Sequence, residues 1–337
     1  MPAIPCASQT LLPQLKQLLP SVDASSATRL RVVKKIEIAD GIVTLTLADP
    51  SSRRLPSWTP GAHVDLVLPN GKTRQYSLCG DRFNPLEYRV AVLRERPGRG
   101  GSAWIHDNLQ VGDDVGLGGP RNNFPMVPSP RYLFIAGGIG ITPLLPMIAQ
   151  AESLGADWSL LYGGRTQASM GFLAELSGYG DRVRVCPEDE CGLLDLAGAL
   201  EEASAEDTKV YACGPTPLLS ALEQRCADRP EGFLRTERFV STGDRNAHNE
   251  AFSIDLARSG RRITVAPQDS VLDVLARNGV NVVSSCQQGT CGTCEVPVLA
   301  GEVDHRDALL DDDERTAHDC MFVCVSRALN SHLVLDL

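Results

Sequence analysis

The sequence predicts a multidomain chain in which an antiparallel β-barrel, a parallel α/β sheet and a small cysteine-rich domain follow one another. Residues 27–127 alternate short β-like runs with turns, whereas residues 128–240 repeat the order strand, turn, helix. Residues 251–337 hold five of the eleven cysteines. A chain of 337 residues is long enough to build a separate hydrophobic core for each part.

The barrel prediction rests on short β-like runs that are separated by turn residues. Residues 42–47, 63–68 and 88–93 are such runs, and Pro69-Asn70-Gly71 follows the second of them. Closely spaced strands joined by Asn-Gly turns are typical of antiparallel sheets and barrels.

The middle domain is predicted from continuous apolar runs, the first of which leads into glycines and a helical pattern. Residues 132–136 form the first run, and residues 158–162 and 210–213 repeat it. Alternation of buried strands with helices indicates a parallel α/β sheet. The polar residues 241–250 predict a linker before the third domain, and residues 1–26 form an N-terminal extension.

Composition excludes several classes of function. The net charge is −10 and no stripe of Lys and Arg occurs, which argues against nucleic acid and anionic membranes as partners. No apolar run reaches the roughly 18 residues that cross a bilayer. Pro13, Gln14 and Lys16 interrupt the leucines near the N-terminus, which argues against a secretion signal. We expect a cytoplasmic protein and a monomer.

The C-terminal cysteines have the spacing of a plant-type [2Fe–2S] site, in which four thiolates surround two irons. Gly289 and Gly292 would allow the loop to turn its amides towards the sulfurs. Structural zinc is the alternative, although zinc prefers paired C-x2-C units and this segment has one. Cys320 is an alternative fourth ligand. The candidate metal ligands are Cys286, Cys291, Cys294 and Cys324.

A β-like run and a glycine-rich turn predict a flavin site. The run Arg74-Gln75-Tyr76-Ser77-Leu78 would carry a guanidinium and an aromatic ring on one face, which suits a phosphate and a ring system. The turn 98–102 leads into a predicted helix, and glycine-rich backbone before a helix binds anions. Ser102 is the predicted N-cap. An ordinary surface strand and a flexible loop are the alternatives. The candidate residues are Arg74, Gln75, Tyr76, Ser77, Gly100, Gly101 and Ser102.

Two glycine-containing strand ends predict a nucleotide site. Residues 137–140 follow a strand and precede a predicted helix over 142–154, so that backbone amides and the helix dipole would bind a pyrophosphate. Residues 213–215 end another strand of the same sheet, and such sheets bind ligands beyond these ends. Tight turns and a small buried cysteine are the alternatives. The candidate residues are Gly137, Gly138, Ile139, Gly140, Thr142, Pro143, Gly214 and Pro215.

These segments, in this order, resemble the phthalate dioxygenase reductase family, the class IA oxygenase reductases. The resemblance extends over residues 27–337 and includes four further motifs, which are Pro120-Arg121-Asn122-x-Phe124-Pro125, Asp304-His305-Arg306-Asp307, Asp312-Asp313-Glu314 and Val323-Cys324-Val325-Ser326-Arg327-Ala328. It implies an antiparallel six-stranded flavin-binding β-barrel with FMN, an α/β parallel-sheet domain that binds NADH, and a C-terminal β-grasp [2Fe–2S] ferredoxin domain. It also implies that Cys324 is the fourth cluster ligand.

The resemblance implies roles for five more residues. FMN contacts are expected at Ala91 and Val92. The contact between nicotinamide and flavin is expected at Cys213, Glu237 and Phe239. Arg238 departs from the family pattern, and the sequence does not explain it.

The identity of the nucleotide depends on Arg165. The acidic residue that would bind a ribose 2′-hydroxyl is missing after the apolar run 158–162. Arg165, which follows this run, would suit a 2′-phosphate. NADH is the predicted nucleotide, and NADPH is the alternative.

The predicted function is that of an oxygenase reductase, which passes electrons from NADH through FMN and the [2Fe–2S] cluster to a partner. A flavin is required because NADH delivers two electrons as hydride whereas the cluster accepts one. The resemblance implies a terminal oxygenase as partner, with a Rieske non-haem iron oxygenase favoured and a cytochrome haem monooxygenase as the alternative. A flavin and iron–sulfur redox sensor is the alternative from another class.

Overall fold

A computed structural model describes residues 28–95, 100–203, 207–239, 249–310 and 312–337. The N-terminal extension, residues 241–248 of the predicted linker, and Gly98 and Arg99 of the glycine-rich turn lie outside these ranges. Three main sheets follow one another along the chain, and a two-stranded ribbon accompanies the third.

The first sheet has six antiparallel strands in the order β4-β3-β6-β1-β2-β5. A bridge between Leu78 and Val90 joins its two edges, which closes the sheet into the predicted barrel. Leucine and valine side chains alternate inwards along the strands and fill the interior. The strands are β1 (Thr28–Ala39), β2 (Ile42–Ala48), β3 (His63–Val67), β4 (Thr73–Ser77), β5 (Glu87–Leu93) and β6 (Asp114–Arg121).

One short helix, α1 (Gly101–Asp107), lies between β5 and β6 and buries Ile105 in the barrel core. Lys35 Nζ donates to the carbonyl oxygens of Ile105, His106 and Leu109 at 2.9, 2.8 and 2.7 Å. A cation at the C-terminal carbonyls satisfies acceptors that have no partner inside the helix. Lys35 therefore holds this helix against β1.

The second sheet is parallel, with the order β11-β10-β7-β8-β9. Its central strand β7 is fully buried at Phe134, Ile135 and Ala136, as the continuous apolar run predicts. The strand order reverses between β7 and β10, where sheets of this type bind ligands. The strands are β7 (Arg131–Gly137), β8 (Asp157–Gly164), β9 (Val183–Pro187), β10 (Thr208–Cys213) and β11 (Leu234–Glu237). The helices are α2 (Ile141–Ser153), α3 (Leu173–Leu176), α4 (Glu188–Cys191), α5 (Leu196–Glu201) and α6 (Thr216–Arg225).

The third sheet is mixed and has the order β13-β12-β18-β14-β16, with β12 and β18 parallel at its centre. A helix whose Val271 and Leu275 are fully buried packs on this sheet. The strands are β12 (Phe252–Leu256), β13 (Arg261–Val265), β14 (Glu295–Ala300), β15 (Val303–Asp304), β16 (Cys320–Phe322), β17 (Arg327–Ala328) and β18 (His332–Leu335), and the helices are α7 (Val271–Arg277) and α8 (Asp312–Ala317).

The barrel and the parallel sheet share a core. Ile42, Cys79 and Ala91 of the barrel pack in one hydrophobic cluster with Phe134 and Met147 of the second domain. This cluster brings the parallel sheet against the barrel.

Candidate functional site: cysteine loop, flavin strand and nucleotide crevice

Four cysteines of the third domain converge in two pairs. The thiol of Cys286 lies next to that of Cys291, and the thiol of Cys294 lies next to that of Cys324. All four residues are buried. Among the described residues, no three His, Cys, Asp or Glu side chains are placed to hold a single metal ion. Two pairs of thiols fit two irons with two thiolates each, and they do not fit a mononuclear zinc site.

Backbone amides of the cysteine loop point at the sulfurs. The N–H of Gln288 donates to Cys286 Sγ at 3.3 Å. The Cys291 thiol, the Thr290 hydroxyl and the Thr290 amide act on the same sulfur, and together they lower the pKa of Cys286. Donors to a thiolate favour its charged form, which is the form that binds iron. The donors of this loop therefore favour the thiolate form at Cys286.

Glycine makes this loop possible at one position in particular. Gly289 has a φ of 69°. A Cβ there would lie 2.6 Å from Val325 Cγ2 and 3.0 Å from Asp307 Cα. Only glycine has both the conformation and the space that this approach requires.

The alternative fourth ligand, Cys320, lies on β16. Burial, with Glu295 and Asp319 nearby, raises the pKa of its thiol to about 12. The structure places Cys324, and not Cys320, in contact with Cys294.

The cysteine loop touches the barrel next to the flavin strand β4. Thr290 Oγ1 donates to Gln75 Oε1 at 3.3 Å. Gln75 Nε2 is buried and has no partner among the described residues. A buried amide donor without an acceptor is costly unless a bound molecule satisfies it. No local sequence pattern predicts this contact, because Thr290 and Gln75 are 215 positions apart.

Two positively charged side chains, those of Arg74 and Lys72, lie next to the start of helix α1. A Cβ on Gly101 would lie 2.3 Å from Arg74 Nε, and one on Gly100 would lie 2.9 Å from Lys72 Nζ. These glycines therefore bring helix backbone against both side chains, and such a concave cationic site fits a terminal phosphate. Lys72 was missed in the sequence, although it lies two residues before Arg74.

The structure corrects the prediction for Ser102. Helix α1 begins at Gly101, with Gly100 as its N-cap in the left-handed region, and no side chain caps it. Ser102 lies inside the first turn, and its Oγ accepts the Glu95 N–H at 3.2 Å. The left-handed N-cap at Gly100 moves the start of the helix two residues ahead of the predicted position.

The other candidate flavin residues take different positions. Ser77 is buried, whereas Tyr76 is half-buried and packs against the barrel core. Burial raises the pKa of Tyr76, so its hydroxyl stays neutral. Val92 faces the barrel core, and Ala91 faces the core shared with the parallel sheet.

At the nucleotide crevice, the ends of β7 and β10 are in contact. A Cβ on Gly140 would lie 2.3 Å from the Cys213 carbonyl oxygen, and one on Gly137 would lie 2.6 Å from Pro215 Cδ. Gly138, with a φ of 55°, has open space on its Cβ side. The two strand ends thus meet at the reversal of strand order, with accessible backbone in front of them.

The helix after this turn differs slightly from its prediction. A 3₁₀ turn over Gly138–Gly140 leads into α2, which begins at Ile141. Thr142 is buried, and its hydroxyl donates to the Ile139 carbonyl at 2.9 Å. Pro143 occupies the first turn of the helix, where it removes no intrahelical hydrogen bond.

The last residue of β11, Glu237, lies beside Cys213. The two residues are paired in the register of β10 and β11. Burial raises the pKa of Glu237 to about 8, and its Oε2 has no partner among the described residues. Burial, and secondly Glu237, raises the pKa of Cys213. Phe239 is half-buried.

Arg238 has an explanation in the structure. Its Nη2 donates to Glu223 Oε1 at 2.7 Å and to Oε2 at 2.5 Å. Because Glu223 lies on α6, this ion pair ties the segment after β11 to the helix that follows β10.

Arg165 follows β8 and is exposed. Its carbonyl accepts the Asp189 N–H at 3.2 Å, so the acidic helix α4, which carries Glu188, Asp189 and Glu190, lies beside it. The backbone of this acidic helix therefore lies next to the end of β8.

Comparison with known proteins agrees with this arrangement. Residues 254–329 match the family model described as 2Fe-2S iron-sulfur cluster binding domain. The chain is 44% identical over 301 residues to phenoxybenzoate dioxygenase subunit beta of Ectopseudomonas oleovorans, with 89% of this chain and 94% of that protein covered.

Two solved structures are similar over nearly the whole chain. Phthalate dioxygenase reductase has a TM-score of 0.74 and 36% identity, and the match covers 93% of this chain and 98% of that one. An intact type IV self-sufficient cytochrome P450 monooxygenase has a TM-score of 0.81 and 41% identity over 96% of this chain. This chain spans 44% of that cytochrome P450 chain.

No helix within the described ranges has the length and apolar character to cross a membrane. Along the chain, the flavin strand comes first, the nucleotide crevice second and the paired cysteines last. With 36% identity over 93% of its length to phthalate dioxygenase reductase, the chain belongs to the phthalate dioxygenase reductase family, whose members are flavin and [2Fe–2S] oxidoreductases.

Proposed function

We propose that this chain takes electrons from NADH and passes them through FMN and its [2Fe–2S] cluster to a terminal oxygenase of the Rieske non-haem iron type. The observation that carries the proposal is the contact between Thr290 of the cysteine loop and Gln75 of the flavin strand. It joins the one-electron site to the strand that would hold the two-electron cofactor. When bound, FMN supplies the conversion between two-electron and one-electron chemistry.

The chain's own residues would bind and orient the cofactors. Arg74 would hold the FMN phosphate together with the nearby backbone of Gly100 and Gly101. The buried Gln75 amide would donate to the ring system, and Tyr76 and Ser77 would line its face. Additional contacts are proposed at Ala91, Val92 and Ser102.

NADH would bind across the crevice between β7 and β10. Gly137, Gly138, Ile139 and Gly140 would approach its pyrophosphate, and the adjoining contacts would come from Thr142, Pro143, Gly214 and Pro215. The buried Cys213 and Glu237 exclude water beside the nicotinamide, where Phe239 would shield the ring. The acidic helix α4 next to Arg165 supports NADH over NADPH, because its carboxylates would repel a 2′-phosphate.

The proposed domains are a barrel over residues 27–127, a nucleotide domain over 128–240, a linker over 241–250 and a ferredoxin domain over 251–337. These boundaries are supported by the hydrophobic clusters that belong to one sheet alone: one inside the barrel, one on a face of the parallel sheet and one in the third sheet. We also propose a monomer that works in the cytoplasm, where free thiols remain reduced and available for cluster assembly.

The decisive experiment separates the two halves of electron transfer. In the holoprotein, Cys291→Ser removes one thiolate of the first pair and should abolish NADH-driven reduction of cytochrome c, whereas anaerobic bleaching of the flavin by NADH should persist. Cys320→Ser is the matched control and should retain both reactions. Loss of flavin bleaching in Cys291→Ser, or equal loss of cytochrome c reduction in both variants, would refute this division of roles.

A cytochrome P450 is the second candidate acceptor, and it is favoured by the similarity to a self-sufficient cytochrome P450 monooxygenase. Purified Rieske oxygenases and cytochrome P450 monooxygenases, each assayed for NADH-supported turnover with this reductase, distinguish the two. Faster turnover with the P450 enzymes would replace the Rieske proposal.

A further inference from the structure

A buried carboxylate lies on the barrel strand next to the flavin strand. Asp65 of β3 is directly opposite Gln75 of β4 in the register of the two strands. Directly opposed side chains of an antiparallel pair share one face, with their Cβ atoms about 5 Å apart. Asp65 is 5% exposed, and the cofactor contacts proposed for the barrel do not include it. A carboxylate removed from water in this way needs partners within the protein.

One oxygen of this carboxylate has its partner on the β6 side. Arg121 of β6 donates from Nη2 to Asp65 Oδ2 at 2.5 Å. A bulge re-aims the Arg121 side chain, because β6 carries an extra residue between the pairs His63–Arg121 and Asp65–Gly118. Gly118 leaves room for the carboxylate, since a Cβ there would lie 3.0 Å from Asp65 Oδ2. The Oδ2 oxygen is therefore held towards β6.

The other oxygen is left for the side on which Gln75 lies. Strand β3 lies between β6 and β4, so a carboxylate with Oδ2 towards β6 has Oδ1 for the β4 side. Asp65 Oδ1 and Gln75 Nε2 are both buried, and neither has a partner among the described residues. A carboxylate only accepts hydrogen bonds and an amide NH2 only donates them. The two groups therefore complement each other, directly or through one buried water.

The direction of the Gln75 amide depends on what lies at each of its ends. Its Oε1 accepts the Thr290 hydroxyl at 3.3 Å. Half a turn about the last bond of a glutamine exchanges oxygen and NH2 with little change of shape, so the neighbours decide the direction. A carboxylate at one end favours the NH2 there and leaves the oxygen for Thr290. Since the NH2 has two N–H donors, one of them remains for the flavin ring.

We propose that Asp65 is a positioning residue that fixes the direction of the Gln75 amide, so that Gln75 draws the hydroxyl proton of Thr290 away from the cluster ligand Cys286. The inference deepens the proposed electron transfer from flavin to cluster and rests on it for its functional meaning.

The reduction potential of the cluster follows from the direction of this amide. The Thr290 hydroxyl lies next to the Cys286 sulfur as well as to Gln75, and it has one proton to share between them. If the amide turns, Gln75 Nε2 donates to Thr290 Oγ1, and the hydroxyl proton is released to the sulfur. Donors to ligand sulfurs stabilise the reduced cluster. Asp65 therefore keeps the potential lower than it would be with the amide turned.

Asp65→Asn tests this chain of contacts in the holoprotein. The new amide oxygen can still accept from Arg121, whereas an NH2 replaces the second oxygen and should turn the Gln75 amide. Arg121 is 32% exposed, so water can solvate its charge and the variant should fold. We expect a positive shift of the cluster potential in a spectroelectrochemical titration. Because loss of a negative charge also contributes, the same substitution is measured in the Thr290→Val background, which lacks the hydroxyl.

The shift caused by Asp65→Asn should be larger with the Thr290 hydroxyl than without it. Asp114→Asn is the matched control, since it removes an exposed barrel carboxylate that pairs with Arg31, and its effect should be equal in both backgrounds. Equal shifts for Asp65→Asn in the two backgrounds would overturn the proposal. They would instead assign Asp65 Oδ1 to His63, which is buried two residues away and whose Nε2 also lacks a partner among the described residues.

A second pair of variants tests whether Asp65 faces Gln75, without reference to the cluster. Gln75→Glu sets two carboxylates against each other and should lower the thermal unfolding temperature of the holoprotein. Adding Asp65→Asn restores a donor opposite an acceptor and should recover most of that loss. If Asp65→Asn gave no such recovery, the two side chains would not face each other and the proposal would fail. Neither measurement depends on turnover, so the proposal can fail while the reductase function stands.

Discussion

The hydroxyl of Thr290 has two neighbours that belong to different redox sites. Its single proton can be donated either to the sulfur of Cys286 or to Gln75 on the flavin strand. We expect Thr290→Val, which keeps the shape and removes the hydroxyl, to lower the reduction potential of the cluster, because donors to ligand sulfurs stabilise the reduced form. Electron transfer from FMN to the cluster should slow severalfold.

Stopped-flow absorbance at the flavin and cluster bands, with a spectroelectrochemical titration, measures both quantities. Thr264→Val is the control, since Thr264 is exposed on β13 of the same domain. An unchanged potential in Thr290→Val would show that the hydroxyl does not act on the cluster.

Glu237 predicts a pH dependence of stability. Burial raises its pKa from 4.5 to about 8, so the folded protein keeps a proton that the unfolded chain releases in that interval. The free energy of unfolding therefore falls as the pH rises from about 4.5 to 8, by as much as a few kcal/mol at about 1.4 kcal/mol per pKa unit. The side chain in Glu237→Gln stays neutral at every pH, so the free energy of unfolding of this variant should lose that pH dependence.

Hydrogen exchange of the β10 and β11 amides at about pH 6 and about pH 8.5 measures the effect within the domain concerned. Protection should fall more steeply with pH in the wild type than in Glu237→Gln. The same slope in both would mean that Glu237 titrates in its ordinary range.

At the scale of elements, the contact between the ends of β7 and β10 depends on glycine. Gly140→Ala places a Cβ 2.3 Å from the Cys213 carbonyl oxygen, and backbone must move to accept it. We expect a loss of about 1–3 kcal/mol in stability, typical of overpacking, and at least tenfold weaker binding of NAD⁺. Thermal unfolding and nucleotide titration measure the two effects.

Gly178→Ala is the matched control. Gly178 lies in the 3₁₀ segment Ser177–Arg182 of the same domain, and a Cβ there meets no atom within 4 Å. If both variants bound NAD⁺ equally well, the strand-end contact would not shape the nucleotide site.

The sequence was informative about elements because local patterns determine them. Continuous apolar runs identified β7, and the spacing of four cysteines identified the loop that brings their sulfurs together. The start of α1 was placed wrongly because Ser102 is a common N-cap residue. The structure instead uses a left-handed Gly100, which lets the helix begin against Arg74. Backbone conformation at glycine leaves no signal in side-chain pattern.

Contacts between separate segments of the chain were beyond the reach of sequence, because they join residues that no local pattern relates. Thr290 with Gln75 and Arg238 with Glu223 are examples. A third example is the acidic helix α4, which lies beside Arg165 because the strand before it, β9, pairs with β8. Residue types were thus sufficient to predict a chemistry for each site. The positions of the sites relative to one another depend on how the sheets pack together, which residue types do not reveal.

At the scale of the whole molecule, Arg89 connects the barrel to the nucleotide domain. Its Nη1 and Nη2 donate to the Glu175 carboxylate at 2.7 and 2.9 Å, and its Nε and Nη2 donate to the Cys79 carbonyl at 3.2 and 2.7 Å. Hydride transfer requires the nicotinamide and the flavin to be held in close, aligned contact. Because these two cofactors would bind to different domains, a residue that ties the domains together should affect this step.

We expect Arg89→Leu to slow flavin reduction at saturating NADH by about tenfold, which corresponds to about 1.4 kcal/mol. The dissociation constant for NADH should change little, since Arg89 lies outside the crevice between β7 and β10. Rapid mixing of the oxidised holoprotein with NADH over a range of concentrations separates the two quantities. Asp157→Asn is the control, because it breaks the exposed ion pair of Asp157 with Arg131 within one domain. A full rate of flavin reduction in Arg89→Leu would show that the shared hydrophobic core alone holds the two domains in register for hydride transfer.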